Sequence, residues 1–269
     1  MSAIRLDTKY VEKPWGCDAL PAPFDGDHGR RIGEVWFDGP AGRHPALLVK
    51  YIFTSERLSI QVHPDDAQGR ARGLPGGKSE CWLILDAQPG ATLGMGTLDP
   101  LDGETLRSAS LSGEIEQLMD WKPVSAGDFF YIPAGTVHAI GAGISLVVVQ
   151  QNVDVTYRLY DYGRPRELHL DDGVAVSRAR PYDRAPVNIG GEDEAHLLDD
   201  KEAPFNLDLM TLFEGAVSLG KGGAQSWFMP LDGVGTIDGA PWHKGQCWLL
   251  DGMATVDVSE GGRALLATL

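Results

Sequence analysis

Strand-length apolar runs, each closed by glycine or proline, are the feature that most limits what this chain can fold into. They recur at Ala46–Thr54 (ALLVKYIFT), Leu58–His63 (LSIQVH), Cys81–Asp86 (CWLILD), Asp128–Pro133 (DFFYIP) and Ile144–Asn152 (ISLVVVQQN). β-Branched and aromatic residues dominate these runs, and 34 glycines and 17 prolines punctuate the 269 residues. That pattern predicts an all-β chain arranged as a sandwich or barrel. Helical periodicity is scarce: Leu106, Ile115 and Leu118 suggest a short helix within 105–119, and a second is expected within 169–178.

One internal echo divides the chain. Gly127–Ile140 (GDFFYIPAGTVHAI) and the segment from Gly245 (GQCWLLDGMATVDV) each read as glycine, bulky strand, small-residue turn and second strand. The strand at Glu80 (ECWLILD) likewise echoes the one at Gln225 (QSWFMPLDG). A repeat of this kind predicts two related β units. We expect the first at 1–178 with the N-terminal segment, a linker at 179–194, and a degenerate second unit at 195–269.

Charge and cysteine content narrow the partners. Asp and Glu number 38 against 23 Lys and Arg, a net charge of −15, so a nucleic-acid backbone would be repelled. No apolar run is long enough to span a bilayer, and the first residues lack a secretory pattern, so no membrane partner is expected. Cys17, Cys81 and Cys247 are odd in number and far apart, which points to a reducing, cytoplasmic setting. The oligomeric state is not legible.

Chemistry concentrates in three short stretches. In LSIQVHPDD, Gln61 and His63 stand two apart on a strand and leave the same face. Glu80 opens another strand in GKSECW, and His138 opens a third after the Pro133–Gly135 turn. Together they offer two imidazoles, one carboxylate and one amide oxygen, a donor set that suits a divalent metal with room for water or substrate. Each residue alone has a blander reading, as a hydrogen-bonded or solvated side chain. Asp65 and Asp66 read as a turn. His28, His44, His169, His196 and His243 have no paired ligand and read as surface. Trp82, Phe129, Phe130 and Tyr131 read as core.

The spacing of Gly127, Pro133, Gly135 and His138 resembles the second motif of the cupin superfamily, a metal-bearing β jelly roll. More narrowly, KPWG at Lys13–Gly16, then QVHPDD, GKSECW, PAGTVHAIGAG and YRLYDYGR in that order resemble the type I mannose-6-phosphate isomerases of the short bacterial kind. The resemblance runs from about residue 12 to about 178. It implies a cupin jelly-roll barrel, one Zn2+ or another divalent ion per chain held by Gln61, His63, Glu80 and His138, and a hexose phosphate as substrate. It also places the family's active-site arginine on Arg158 and its lysine on Lys78, which we expect to carry proton transfer. Ser59 and Thr136, beside metal ligands in sequence, are expected to help bind the phosphorylated sugar. The readings that compete are a metal-containing cupin that binds a sugar phosphate without turnover, and an iron cupin oxidoreductase.

Overall fold

The structure is a computed structural model that describes residues 3–26, 29–40, 43–191, 194–199, 201 and 203–269. His28 lies outside the described residues. The all-β expectation is borne out: among the described residues, strands in four sheets carry the fold, with short helices at Asp66–Ala71, Gly103–Ser112, Ile115–Leu118 and Leu170–Val176. The helix expected across 105–119 is two, because Gly113 takes a left-handed conformation (φ 84°) that ends the first.

A seven-stranded antiparallel sheet forms the spine. Its central strands run Asp128–Ile132, Glu80–Ala87, Ile144–Gln151, Leu47–Phe53 and Ile32–Asp38. One face packs on a five-stranded sheet that includes Ile60–Val62, His138–Ile140 and Tyr157–Tyr160, closing the first barrel around Trp15, Ile52, Trp82, Ile84, Phe130 and Leu146. The other face, with Val49, Tyr51, Cys81, Leu83 and Val147, packs on a six-stranded sheet through Leu207, Trp227 and Leu249. That sheet in turn covers a four-stranded sheet around Phe228, Trp242 and Val256. The last three helices cover the outer face of the five-stranded sheet, where Leu106, Ile115 and Val176 meet Ile60 and Leu159.

This stacking explains the sequence pattern. A sheet buried on both faces needs apolar side chains at successive positions rather than at alternate ones. All seven residues of Leu47–Phe53 are accordingly buried. The one charged member is Lys50, which faces the first barrel in register with Val148 and Trp36.

The two ends of the chain are interleaved. Ala3–Arg5 pairs with Trp248–Asp251, so the N-terminal strand belongs to the sheet of the second unit. Within the segment read as a linker, residues 182 and 187–189 pack on the seven-stranded sheet. Val187–Asn188 pairs with Phe129 and Asp128, Ile189 joins the core, and the Tyr182 hydroxyl donates to the Tyr131 carbonyl at 2.6 Å. Its glycines and prolines serve a short edge strand, a role that composition does not separate from a tether.

The echo is visible in the pairing, one residue out of the sequence register. Glu80 pairs with Ile132 and Trp82 with Phe130, while Ser226 pairs with Leu250 and Phe228 with Trp248. Counted from Gly127 and Gly245, Ser226 takes the place of Glu80 and Val256 that of His138. Both are fully buried, and neither offers a metal a strong donor.

Candidate metal centre and active site

Local structure carries each candidate ligand to one point inside the first barrel. Gln61 sits mid-strand and pairs with both His138 and Arg158 across its neighbours. His63 follows that strand, and its carbonyl accepts from Gly135 N at 2.8 Å. Gly135 holds φ at 88°, a left-handed turn for which glycine is suited, and this turn delivers His138 to the start of its strand. Lys78 reaches the site because its N–H donates to the Pro64 carbonyl at 2.9 Å, while Gly77 N donates to Asp66 Oδ1 at 2.7 Å. A Cβ on Gly77 would lie 2.4 Å from the Asp65 backbone, so the two loops meet only with glycine there. Asp65 caps the intervening helix through Gln68 N, so Asp65 and Asp66 are structural, as the sequence reading had them.

His63, Glu80 and His138 are all buried, and ligand atoms from the three lie within 4.8 Å of one another. His63 Nε2 stands 3.3 Å from Glu80 Oε1, yet neither ring nitrogen of His63 has a hydrogen-bond partner among the described residues. Two unpaired nitrogens in a side chain 1% exposed are costly unless something else meets them. His138 Nδ1 lies 2.8 Å from the Thr136 carbonyl, which fixes the tautomer with Nε2 free, 3.3 Å from Gln61 Nε2. A half-turn of the Gln61 amide puts its oxygen there instead.

The electrostatics agree with a metal. Burial, reinforced by Lys78, pushes the His63 imidazole down to about 3, and burial also lowers His138, so both rings are neutral at pH 7 with lone pairs available. Burial alone would raise the Glu80 carboxyl, but Lys78 pulls the other way, and the group is held well below the usual carboxylate range. The Trp82 indole donates to Glu80 Oε2 at 3.0 Å and stands edge-on to His138, with ring centroids 5.4 Å apart. Trp82 is thus core, as read, and it also orients a ligand. A neutral pair of imidazoles, one ionised carboxylate and an amide oxygen suit a divalent ion such as zinc.

The cavity beside this group is lined by Ser59, Gln61, Lys78, Glu80 and Arg158 from the sequence reading. Lys78 is buried, with Nζ 3.2 Å from Glu80 Oε1, and burial lowers its pKa against the pull of Glu80. Arg158 makes no pair with Asp154 or Asp161. Its Nη1 donates to the Glu167 carbonyl at 2.6 Å, and its buried Nε has no partner among the described residues. Asp161, 2% exposed, is taken instead by Arg164 and by Arg166, which also lines the cavity.

Two residues lie elsewhere than the sequence suggests. Thr136 does not line this cavity; it bridges to Arg178 and borders a small separate cleft with Arg180, so its tie to the site is the carbonyl that fixes His138. His169 is half-buried rather than surface, its Nδ1 accepting from the Arg158 backbone N–H at 3.2 Å. His44, His196 and His243 are exposed, as read. Sequence reasoning missed Glu34 and Lys50, which line the cavity with Lys13 and Trp15. The available signal was a lone charge inside each apolar run, IGEVWF and ALLVKYIF.

Fold and site together define a cupin barrel with a candidate metal site. Comparison with known proteins sharpens that. No family model matches the chain. The mannose-6-phosphate isomerase of Streptococcus mutans is 41% identical over 148 residues, 52% of this chain and 46% of that protein. The probable mannose-6-phosphate isomerase GmuF of Bacillus subtilis is 36% identical over 187 residues, 65% of this chain and 56% of that protein. These matches span about half the length of the curated relatives. The crystal structure of the mannose 6-phosphate isomerase from Bacillus subtilis superposes with a TM-score of 0.78 at 26% identity, covering 100% of both chains. The resemblance carried by the motifs is borne out: the chain is similar to mannose-6-phosphate isomerases in sequence and has their cupin fold.

Proposed function

We propose that this chain is a metal-dependent aldose–ketose isomerase that interconverts mannose 6-phosphate and fructose 6-phosphate. The observation that carries the reading is the buried group of His63, Glu80 and His138, with unpaired His63 nitrogens, opening through Gln61 and Glu80 onto a cavity rich in cations. Similarity to named isomerases supports the substrate. Gln61, His63, Glu80 and His138 hold one divalent ion, and a zinc-bound mannose 6-phosphate isomerase of the same fold (TM-score 0.70, 15% identity) supports zinc. When bound, the ion supplies a Lewis acid that stabilises negative charge on the sugar oxygens.

The chain's own residues do the rest. Isomerisation takes the proton from C2 of the open-chain aldose and returns one to C1, while the O2 proton leaves and O1 gains one. Lys78 is the proton carrier: it lines the cavity beside the ligand Glu80, and burial favours its neutral amine relative to a solvated lysine. Arg158 stabilises the enediolate with the unpartnered Nε on its permanently charged fork. Ser59, whose hydroxyl lies 3.2 Å from Gln61 Oε1, and Arg166 with Lys50 bind the sugar phosphate. Thr136 contributes only by holding His138. Three cysteines without disulfide partners support a reducing compartment, the cytoplasm. None of the helices among the described residues is long and apolar enough to cross a membrane.

The test is a coupled assay of mannose 6-phosphate conversion on metal-loaded protein, before and after chelation. Loss on chelation with recovery on zinc addition is expected. Oxygen uptake without isomerisation would favour an oxidoreductase, and sugar phosphate binding without turnover would favour a binding protein.

A further inference from the structure

Three cationic side chains that line the cavity are not part of the Lys78–Glu80 pair or the Arg158 fork, and two of them, Lys13 and Lys50, meet on one carboxylate. Glu34 lies on the strand Ile32–Asp38, in register with Ile52, which faces the barrel interior, and its side chain is 6% exposed. Glu34 Oε1 is 3.3 Å from Lys50 Nζ, and Oε2 is 3.1 Å from Lys13 Nζ. The Trp36 indole donates to the same Oε2 at 2.8 Å. The metal-side Glu80 is oriented the same way, by an indole two residues along its strand. Glu34 therefore repeats the device that orients a ligand, but turns it on two ammonium groups.

We propose that Glu34 is a positioning residue that presents Lys50 and Lys13 as a paired cation site for the phosphate of the substrate. The proposal rests on the reading of the cavity as a sugar phosphate site. A buried ion pair is weak support for stability, since apolar residues of similar volume serve as well, so its place in a cavity wall asks for another reason. Each ammonium has three donors, and Glu34 occupies one of each, leaving the rest for a ligand. Both Glu34 oxygens already accept hydrogen bonds or ion pairs, so the carboxylate is screened from an incoming anion. Five cationic side chains line the cavity, Lys13, Lys50, Lys78, Arg158 and Arg166, against two carboxylates, Glu34 and Glu80, an excess that suits a dianionic phosphate.

Glu34→Gln keeps shape and the Trp36 contact but removes the charge that holds both lysines. On zinc-loaded protein we expect the dissociation constant of inorganic phosphate, read by calorimetry, to rise about tenfold or more. KM for mannose 6-phosphate should rise in parallel, while kcat changes less than about threefold and zinc content not at all. Glu34→Asp should recover part of the phosphate affinity. Unchanged or tighter phosphate binding in folded Glu34→Gln, the latter showing that the lost charge outweighs any positioning, or a fall in kcat with KM unmoved, overturns the proposal. If Glu34→Gln does not fold, Lys50→Met must show the same loss of phosphate affinity or the proposal fails. If wild type binds phosphate with this dependence yet does not isomerise mannose 6-phosphate, the isomerase reading fails and the Glu34 assignment stands.

Discussion

Replacing Trp82 with phenylalanine removes one indole N–H from a site that is otherwise left whole. In the wild type that N–H is 3.0 Å from Glu80 Oε2, in a side chain 1% exposed, and the ring stands edge-on to His138. Phenylalanine keeps an aromatic ring but leaves a small void and one lone pair of an ionised, buried carboxylate unmet. A hydrogen bond to a charged group contributes about 1.5–3 kcal/mol, and the void adds to that, so metal-free protein should lose about 2–4 kcal/mol. Outer partners of metal ligands typically change affinity by about 10–100-fold, which is about 1.4–2.7 kcal/mol. Denaturant unfolding with excess chelator and then with saturating zinc separates the two effects. The zinc-free midpoint should fall, and a zinc competition titration should give a weaker dissociation constant by the factor above. An unchanged zinc affinity, with or without lost stability, would show that Trp82 is packing alone and would refute its role in orienting Glu80.

Acid should weaken the protein partly through Glu34, whose carboxyl is held at about 2 against an ordinary 4.5 by Lys50 and Lys13 despite its burial. A folded-state pKa below the unfolded one gives stability that is present above about pH 4.5 and lost as pH falls toward 2, about 3 kcal/mol in all. Unfolding curves across that window should therefore be less steep in pH for Glu34→Gln than for wild type. Asp161→Asn strips charge from the anchor that accepts from Arg164 and, at 2.6 Å to each oxygen, from Arg166. It should lower unfolding stability by about 2–4 kcal/mol and raise KM through a loosened Arg166, both checked on one preparation. Lys78→Met should keep zinc, read by metal analysis, and lower kcat by about 10² or more.

Much of this was legible because strands make sequence distance into geometry. Gln61 and His63 on alternate positions could be placed on one face from spacing alone, while Glu80 and His138 joined them only through the order of the motifs. The four-sheet stack was not legible, because an apolar run that holds Cys81 and Leu83 does not say which second sheet covers them. Glu34 and Lys50 were missed for a related reason: each is one charge in an apolar run, and only the cross-strand register brings them to the same wall. Thr136 falls outside the lining of the main cavity because adjacency to a ligand in sequence does not fix direction at a turn. The packing of Tyr182 and Val187–Ile189 was not legible because proline and glycine mark edge strands as well as tethers.

The central claim, that one buried metal group and one isomerase activity are the same site, is tested by measuring both on single preparations of wild type and His138→Ala. About one divalent ion per wild-type chain with conversion of mannose 6-phosphate, and loss of ion and activity together in the folded variant, is the predicted result. A metal-replete wild type that isomerises no hexose phosphate, or a His138→Ala protein that keeps its metal, would contradict it.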